Sequence, residues 1–387
     1  MKKGVIAILS MSAVFIGSSF CAAAAVEYEI EQLKKEIAEM KASKEKGSIS
    51  EYLGLAAEIG ATFVLQGVNK SNDGSNKGRT DGSYSLDLGF GKEFSDGAKV
   101  FLHIEGLQGE GLNDNLRLYS SLNTDAGTTE SFLSVSELWY QQNLFGDKIT
   151  LTFGKLNPAG YFDENEIAND ETGQFLASMF VNNPAVSLPD NNPGLRMTYS
   201  PAGFLDITYA YFNQNEDLGQ IDGNGFNAVQ AAFKYSGKGN YRLMYWSSNE
   251  DAGSENSYGF SISFDRPLNE TVSLFARYGY KNPKIADDEN PVANSWSFGA
   301  QFKGALLNRE NDIAGLAFGQ NIVSKDWAEA NGLKKDAETQ AEIYYKLSIS
   351  ENMELTPVFQ YAVKPMGGNA AAGGDLFAFG IRTQINF

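Results

Sequence analysis

Two side chains are almost missing from this sequence: one cysteine, Cys21, and one histidine, His103, occur in 387 residues. A Ser–His or Cys–His nucleophile would have to use His103, which sits between Leu102 and Ile104 with no serine motif beside it. That leaves an enzyme of this kind little to work with. Past the first 25 residues no apolar run approaches the ~20 residues that a spanning helix needs, which excludes a helical membrane protein. A transmembrane β-barrel is not excluded, because its lumen-facing half is polar and dilutes the average hydropathy. Positive charge is scarce. Lys and Arg number 31 against 48 Asp and Glu, a net charge of −17, or −19 once Lys2 and Lys3 are removed with a leader. Such a field repels phosphates, so no nucleic-acid partner is expected. Gly106-x-x-Gly109-x-Gly111 has neither a βαβ context nor a lysine placed for a phosphate, and no cofactor is implied.

The start of the chain reads as a secretory signal over residues 1–24. Lys2 and Lys3 give the charged region, 4–20 the apolar core, and the small residues around Ala23 a cleavage site. Phe20 before Cys21 is too large for a lipoprotein signal, so the mature chain is expected to lack cysteine and to draw its stability from a closed hydrogen-bonded sheet. In 26–46, Val26, Ile30, Leu33, Ile37 and Met40 form a heptad-like seam of about two heptads. Alone that is too short for a stable helix. It is read either as an amphipathic periplasmic helix or as a means of associating with copies of itself, as in a homotrimer. A linker over 47–57 precedes the remainder, 58–387.

What is abundant is alternation. At the C-terminus Phe377, Phe379, Ile381, Thr383, Ile385 and Phe387 share one face of a strand, while Ala378, Gly380, Arg382, Gln384 and Asn386 share the other. A last strand that ends on an apolar-face Phe is a habit of outer-membrane barrels. Sixteen such segments can be cut: 58–66, 82–92, 98–107, 134–144, 148–156, 194–200, 204–213, 225–235, 240–248, 257–265, 270–281, 293–303, 312–321, 338–350, 353–364 and 375–387. Their connections alternate between short turns and long polar loops. An even strand number with loops sorted in this way predicts an all-β fold, a 16-stranded antiparallel transmembrane barrel of the bacterial outer membrane.

On the polar parity lie Asp87, Glu105, Glu137, Lys155, Arg196, Arg242, Arg277, Lys346 and Arg382, together with the aromatics Phe101, Phe212, Trp246, Phe275 and Tyr344. Facing lipid, each charge would cost roughly 2–4 kcal/mol near the midplane, so these are expected to line the lumen. Arg242 and Arg277 are expected to face hydrated space, where losing the charge alters permeation with little loss of folding. The rings either stack on sugar C–H faces or pack beneath loops. The longest connection, 157–193, carries an apolar cluster (Phe175, Leu176, Met179, Phe180, Val181) that would narrow a pore if folded inward. Its acidic and amide run, Asp163, Glu164, Asn165, Glu166, Asn169, Asp170 and Glu171, matches no EF-hand spacing, and no metal is expected.

Several blocks resemble the carbohydrate-selective porin family, OprB. They are Leu138-Trp139-Tyr140-Gln141-Gln142, Gly154-Lys155, Phe162-Asp163-x-Asn165, Ala168-Asn169-Asp170 and Gln174-Phe175-Leu176, followed by Glu338, Glu342-Ile343-Tyr344-Tyr345, Leu355-Thr356-Pro357, Gln360-Tyr361 and Gly380-x-Arg382. The resemblance implies a sixteen-stranded barrel, embedded in outer-membrane lipid, that passes small sugars by diffusion, is narrowed by loops and is lined by Arg, Glu and aromatic residues. A general or anion-selective porin and an envelope-anchoring structural barrel are the other readings, since lumen arginines suit phosphate as well as hydroxyls.

Overall fold

Strands with one greasy and one polar face can bury neither face alone, and closing them into a ring satisfies both. In a computed structural model, residues 54–75, 77–127, 132–214, 225–235, 238–249, 257–282, 291–304, 309–371 and 374–387 are described. The chain divides into Met1–Leu55 and Ala56–Phe387. The leader, the 26–46 seam and the first part of the linker lie outside the described residues.

The second unit runs β1 (Ala56–Val68), β2 (Arg79–Glu93), β3 (Ala98–Gln108), β4 (Phe132–Leu144), β5 (Ile149–Leu156), β6 (Asn192–Ala202), β7 (Leu205–Asn213) and β8 (Gly225–Tyr235). It continues with β9 (Gly239–Ser248), β10 (Ser257–Pro267), β11 (Val272–Lys281), β12 (Val292–Lys303), β13 (Ile313–Val323), β14 (Glu338–Ser350), β15 (Met353–Val363) and β16 (Leu376–Asn386). Every predicted strand is present, and its ends fall within three residues of expectation. Each pairs antiparallel with its neighbours in sequence. β1 meets β16 with Gly60 opposite Asn386 and Val68 opposite Ala378, closing the barrel.

Burial follows parity and is inverted relative to a water-soluble sheet. Phe63, Leu65, Leu243, Tyr245, Phe298, Ile343, Phe359 and Phe379 are exposed, while the polar parity is buried or half-buried. An apolar belt of this extent suits lipid and would be a liability in water.

The interior is lopsided. Inward residues of β7–β16 are mostly buried, whereas those of β3–β6 are mostly half-open. Three dry clusters account for the difference, each combining inward wall residues with loop residues. Phe275, Ala317, Tyr344 and Val358 pack with Phe175, Met179 and Phe180. Phe212, Phe226 and Trp246 pack with Phe162 and Val186. Val68, Ala362, Leu376 and Ala378 pack with Leu112, Leu116 and Leu122. The wall lets its large rings lie flat by placing glycine opposite them. A Cβ at Gly315 would stand 2.1 Å from Tyr344, so only glycine leaves that ring room.

Candidate functional site

β14 projects inward two glutamates, Glu338 and Glu342, four residues apart and therefore on one face. Each receives two successive backbone amides from a different loop. Glu338 accepts from Tyr119 N (2.9 Å) and Ser120 N (3.3 Å) of the β3–β4 loop. Glu342 accepts from Leu176 N (2.7 Å) and Ala177 N (2.8 Å) of the β5–β6 loop, and from Gln360 Nε2 (3.0 Å). The same Gln360 donates to Leu122 O at 2.6 Å. The loops also join each other: Thr124 N reaches Leu176 O (2.9 Å) and Ser178 N reaches Ser121 O (3.0 Å). Charge-assisted bonds to consecutive amides are short and strong, and both ends are buried here.

Arginines complete the docking of the β5–β6 loop. Arg277 on β11, 2% exposed, donates to Asp163 O (2.9 Å), Phe180 O (2.8 Å) and Asn169 Oδ1 (3.0 Å). Its Nε also lies 3.4 Å from the Asp163 carboxylate. Asp163 adopts a left-handed backbone (φ 58°), a conformation that Asp tolerates better than most residues, and accepts Asn183 N at 2.6 Å. Arg382 on β16, 1% exposed, donates to Glu171 O (2.5 Å) and Gln174 O (2.9 Å). Asn165 Nδ2 bonds Ser263 Oγ (3.2 Å) and Phe264 O (3.1 Å) on β10. Phe175 sits edge-on to Tyr344, with ring centroids 5.0 Å apart, and 5.6 Å from Phe275. Arg242 on β9 is tied to Asp265 at 2.5 Å and faces Glu164 and Glu166 of the loop.

The expected hydrated surroundings of Arg242 and Arg277 are therefore corrected. Both are buried and engaged by the loop or the wall, so truncation would strand acceptors rather than vacate water. Lys155 is corrected too. It pairs across the ladder with Leu138 and shares the outward parity of Phe153, one residue from the upper end of β5. The other wall candidates face inward. Trp246, Phe275 and Tyr344 lie fully beneath loops. Asp87, Glu105, Glu137 and Arg196 are half-open on the β2–β6 side, with His103 Nε2 3.0 Å from Asp87 Oδ1. Arg196 bonds Thr152 Oγ1 (2.8 Å) and lies over the Tyr161 ring of the loop at 4.2 Å. Lys346, lower on β14, pairs with Glu354 at 3.1 Å. Asp170 is exposed on the loop, where it caps Thr172 N.

One loop carboxyl is neutralised by its setting. Asp125 is 5% exposed, with one oxygen accepting from Ser85 Oγ at 2.7 Å and the other lacking a partner among the described residues. Burial pushes it up to about 8.

A closed antiparallel barrel with a lipid-facing belt, short turns at one end and long loops folded into its lumen is the architecture of outer-membrane porins and points to a channel. The sequence pattern described as "Carbohydrate-selective porin, OprB family" matches residues 71–246 and 218–387. The chain belongs to that family, whose place is the bacterial outer membrane. Among solved structures, Pseudomonas putida OprB at high pH superposes with a TM-score of 0.74 at 18% identity, covering 88% of this chain and 96% of that one. The low-pH structure of the same protein gives 0.59 at 16%, covering 87% and 95%. The outer membrane channel DcaP of Acinetobacter baumannii gives 0.55 at 13%, covering 86% and 97%. These likenesses concern the fold. An uncharacterized protein of Aquifex aeolicus is 25% identical over 207 residues, which is 54% of this chain and 57% of that protein's length.

Replacing Glu342 by Ala leaves the amides of Leu176 and Ala177 buried without acceptors, a loss of about 1–3 kcal/mol for each. The β5–β6 loop should detach while the barrel still folds, so single-channel conductance in planar bilayers should rise; an unchanged conductance would refute the anchoring role. Asp125 supplies a pH dependence. Because its folded value lies above the ordinary one, its contribution is complete at low pH and is lost as pH rises through about 8. From the ordinary carboxylate range up to about pH 8 the 109–127 segment should become progressively more sensitive to protease and then level off, and Asp125→Asn should flatten that profile. An Asn variant that tracks the native protein across this range would refute the assignment.

Proposed function

We propose that neutral mono- and small oligosaccharides diffuse passively through the space between the β3–β6 wall and the docked loops. The β5–β6 loop, fixed through Asp163, Asn165, Asn169 and Phe175 and with Asp170 at its surface, is the constriction. Asp87, Glu105, Glu137 and Arg196 line the bore beside it. The observation that carries this reading is the engagement of the cations. Of the inward arginines Arg196, Arg242, Arg277 and Arg382, the last three are at most 6% exposed and spend their charge on loop carbonyls and carboxylates. An anion-selective channel needs positive charge free in its bore, and the half-open wall offers mostly carboxylates.

Swelling of proteoliposomes in glucose, a disaccharide and a trisaccharide tests the proposal. Rates should fall steeply with size, and failure to admit glucose would remove it. We also propose that residues 1–24 are cleaved and that Val26, Ile30, Leu33, Ile37 and Met40 gather the barrels into a homotrimer. Deleting 26–46 should convert a heat-modifiable oligomer to monomer on gels with barrel and permeation intact. An unaltered oligomer would exclude the seam, and lost permeation would favour a structural or anchoring role for the barrel.

A further inference from the structure

Below the docked loops, β1 to β4 and the end of β16 frame a recess of about 570 Å³ lined by Glu58, Asp87, Phe101, His103, Glu137 and, from the β5–β6 loop, Thr172. The strand register stacks its chemistry in rungs. Asp87 stands opposite Glu105, His103 opposite Glu137, and Phe101 opposite Trp139. The Phe101 and Trp139 rings lie 5.3 Å apart, and Trp139 Nε1 donates to Glu137 at 3.0 Å. On β2 the positions opposite His103 and Phe101 are Gly89 and Gly91. A Cβ at Gly89 would touch the Phe101 ring at 3.6 Å. A larger side chain there would cover the ring, so two glycines leave an aromatic face bare beside a row of carboxylates. The Asp87–His103 pair and the Phe101 ring face this space, while Trp139 also packs against the cluster under the β5–β6 loop and Glu137 also accepts the Asn157 amide at the start of that loop.

Resting on the sugar-channel reading, we propose that this recess is a sugar subsite that holds a pyranose face-on to Phe101 and favours cationic aminosugars over acidic or phosphorylated sugars. A pyranose presents an apolar C–H face and a rim of hydroxyl donors. The ring takes the face, while Asp87 and Glu137 accept from the rim. Carboxylates are acceptors only, so an ammonium adds a charge-assisted bond and an anionic substituent meets repulsion. The nearby cations do not offset this. His103 is held by Asp87, and Lys99, 6.0 Å above the Trp139 ring, pairs with Glu93 at the turn. Arg196 is engaged by Thr152, by Gln141 and by the Tyr161 ring.

The test is permeation of glucosamine, glucose and glucuronate in proteoliposomes carrying the full-length protein. At low salt glucosamine should enter several-fold faster than glucuronate, with glucose between them. At about 1 M salt, where the screening length is about 3 Å, the ratio should collapse toward one. Asp87→Asn with Glu137→Gln should lower the low-salt ratio several-fold, and Phe101→Ala should raise the glucose concentration that half-saturates flux. Native protein admitting glucuronate as fast as glucosamine, or a ratio insensitive to salt, overturns the subsite without any variant having to fold. Glucose entry in that case leaves the sugar channel standing; its absence removes both.

Discussion

Two buried carboxylates on one strand hold the interior of this barrel in place. A sixteen-stranded ring left to itself encloses a wide aqueous channel. What turns that space into a shaped passage is the backbone of two surface loops, and backbone folded into a lumen brings amides that need acceptors. Glu338 and Glu342 provide them in pairs, one for each loop, at a spacing that strand periodicity fixes. Arg277 and Arg382 do the complementary work on loop carbonyls. Only after those polar demands are met can Phe175, Met179 and Phe180 form a dry cluster inside a membrane channel.

The barrel was almost fully legible in the sequence, because alternation is a local signal. A strand facing lipid on one side and polar on the other repeats every second residue whatever lies across from it. Loop sorting then supplied orientation and strand number. The interior was less legible for a physical reason: parity tells which way a side chain points but not what meets it there. Arg277 and Glu137 carry the same inward signature, yet one is buried by a loop arriving from 114 residues away and the other stays half-open. Glu338 and Glu342 appeared only within the resemblance to the OprB family, since an inward carboxylate reads the same whether water or an amide receives it.

Lys155 shows the converse: a charge on a strand is not by itself a sign of the lumen. Thr150, Thr152 and Gly154 make the inward face of β5, and Lys155 follows Phe153 outward. A lysine near a strand end can send its ammonium to the headgroup region along an apolar stem, so the lipid-facing penalty that applies at the midplane does not apply there. The aromatics divide in a similar way. Trp246, Phe275 and Tyr344 serve as flooring for the loops, and Phe101 keeps its face open.

The bore's off-centre position separates two tasks that a symmetric tube would mix. Strands β7 to β16 act as a chassis, and substitutions there are read as assembly defects. The β3–β6 quadrant is a keyboard: its inward residues stay mostly half-open, with fewer ties to the loops, and can be exchanged one by one. Divergence within such a scaffold can retune which solutes are welcome without renegotiating how the channel is built, and an engineer shaping a pore for a chosen cargo would begin on that quarter of the wall.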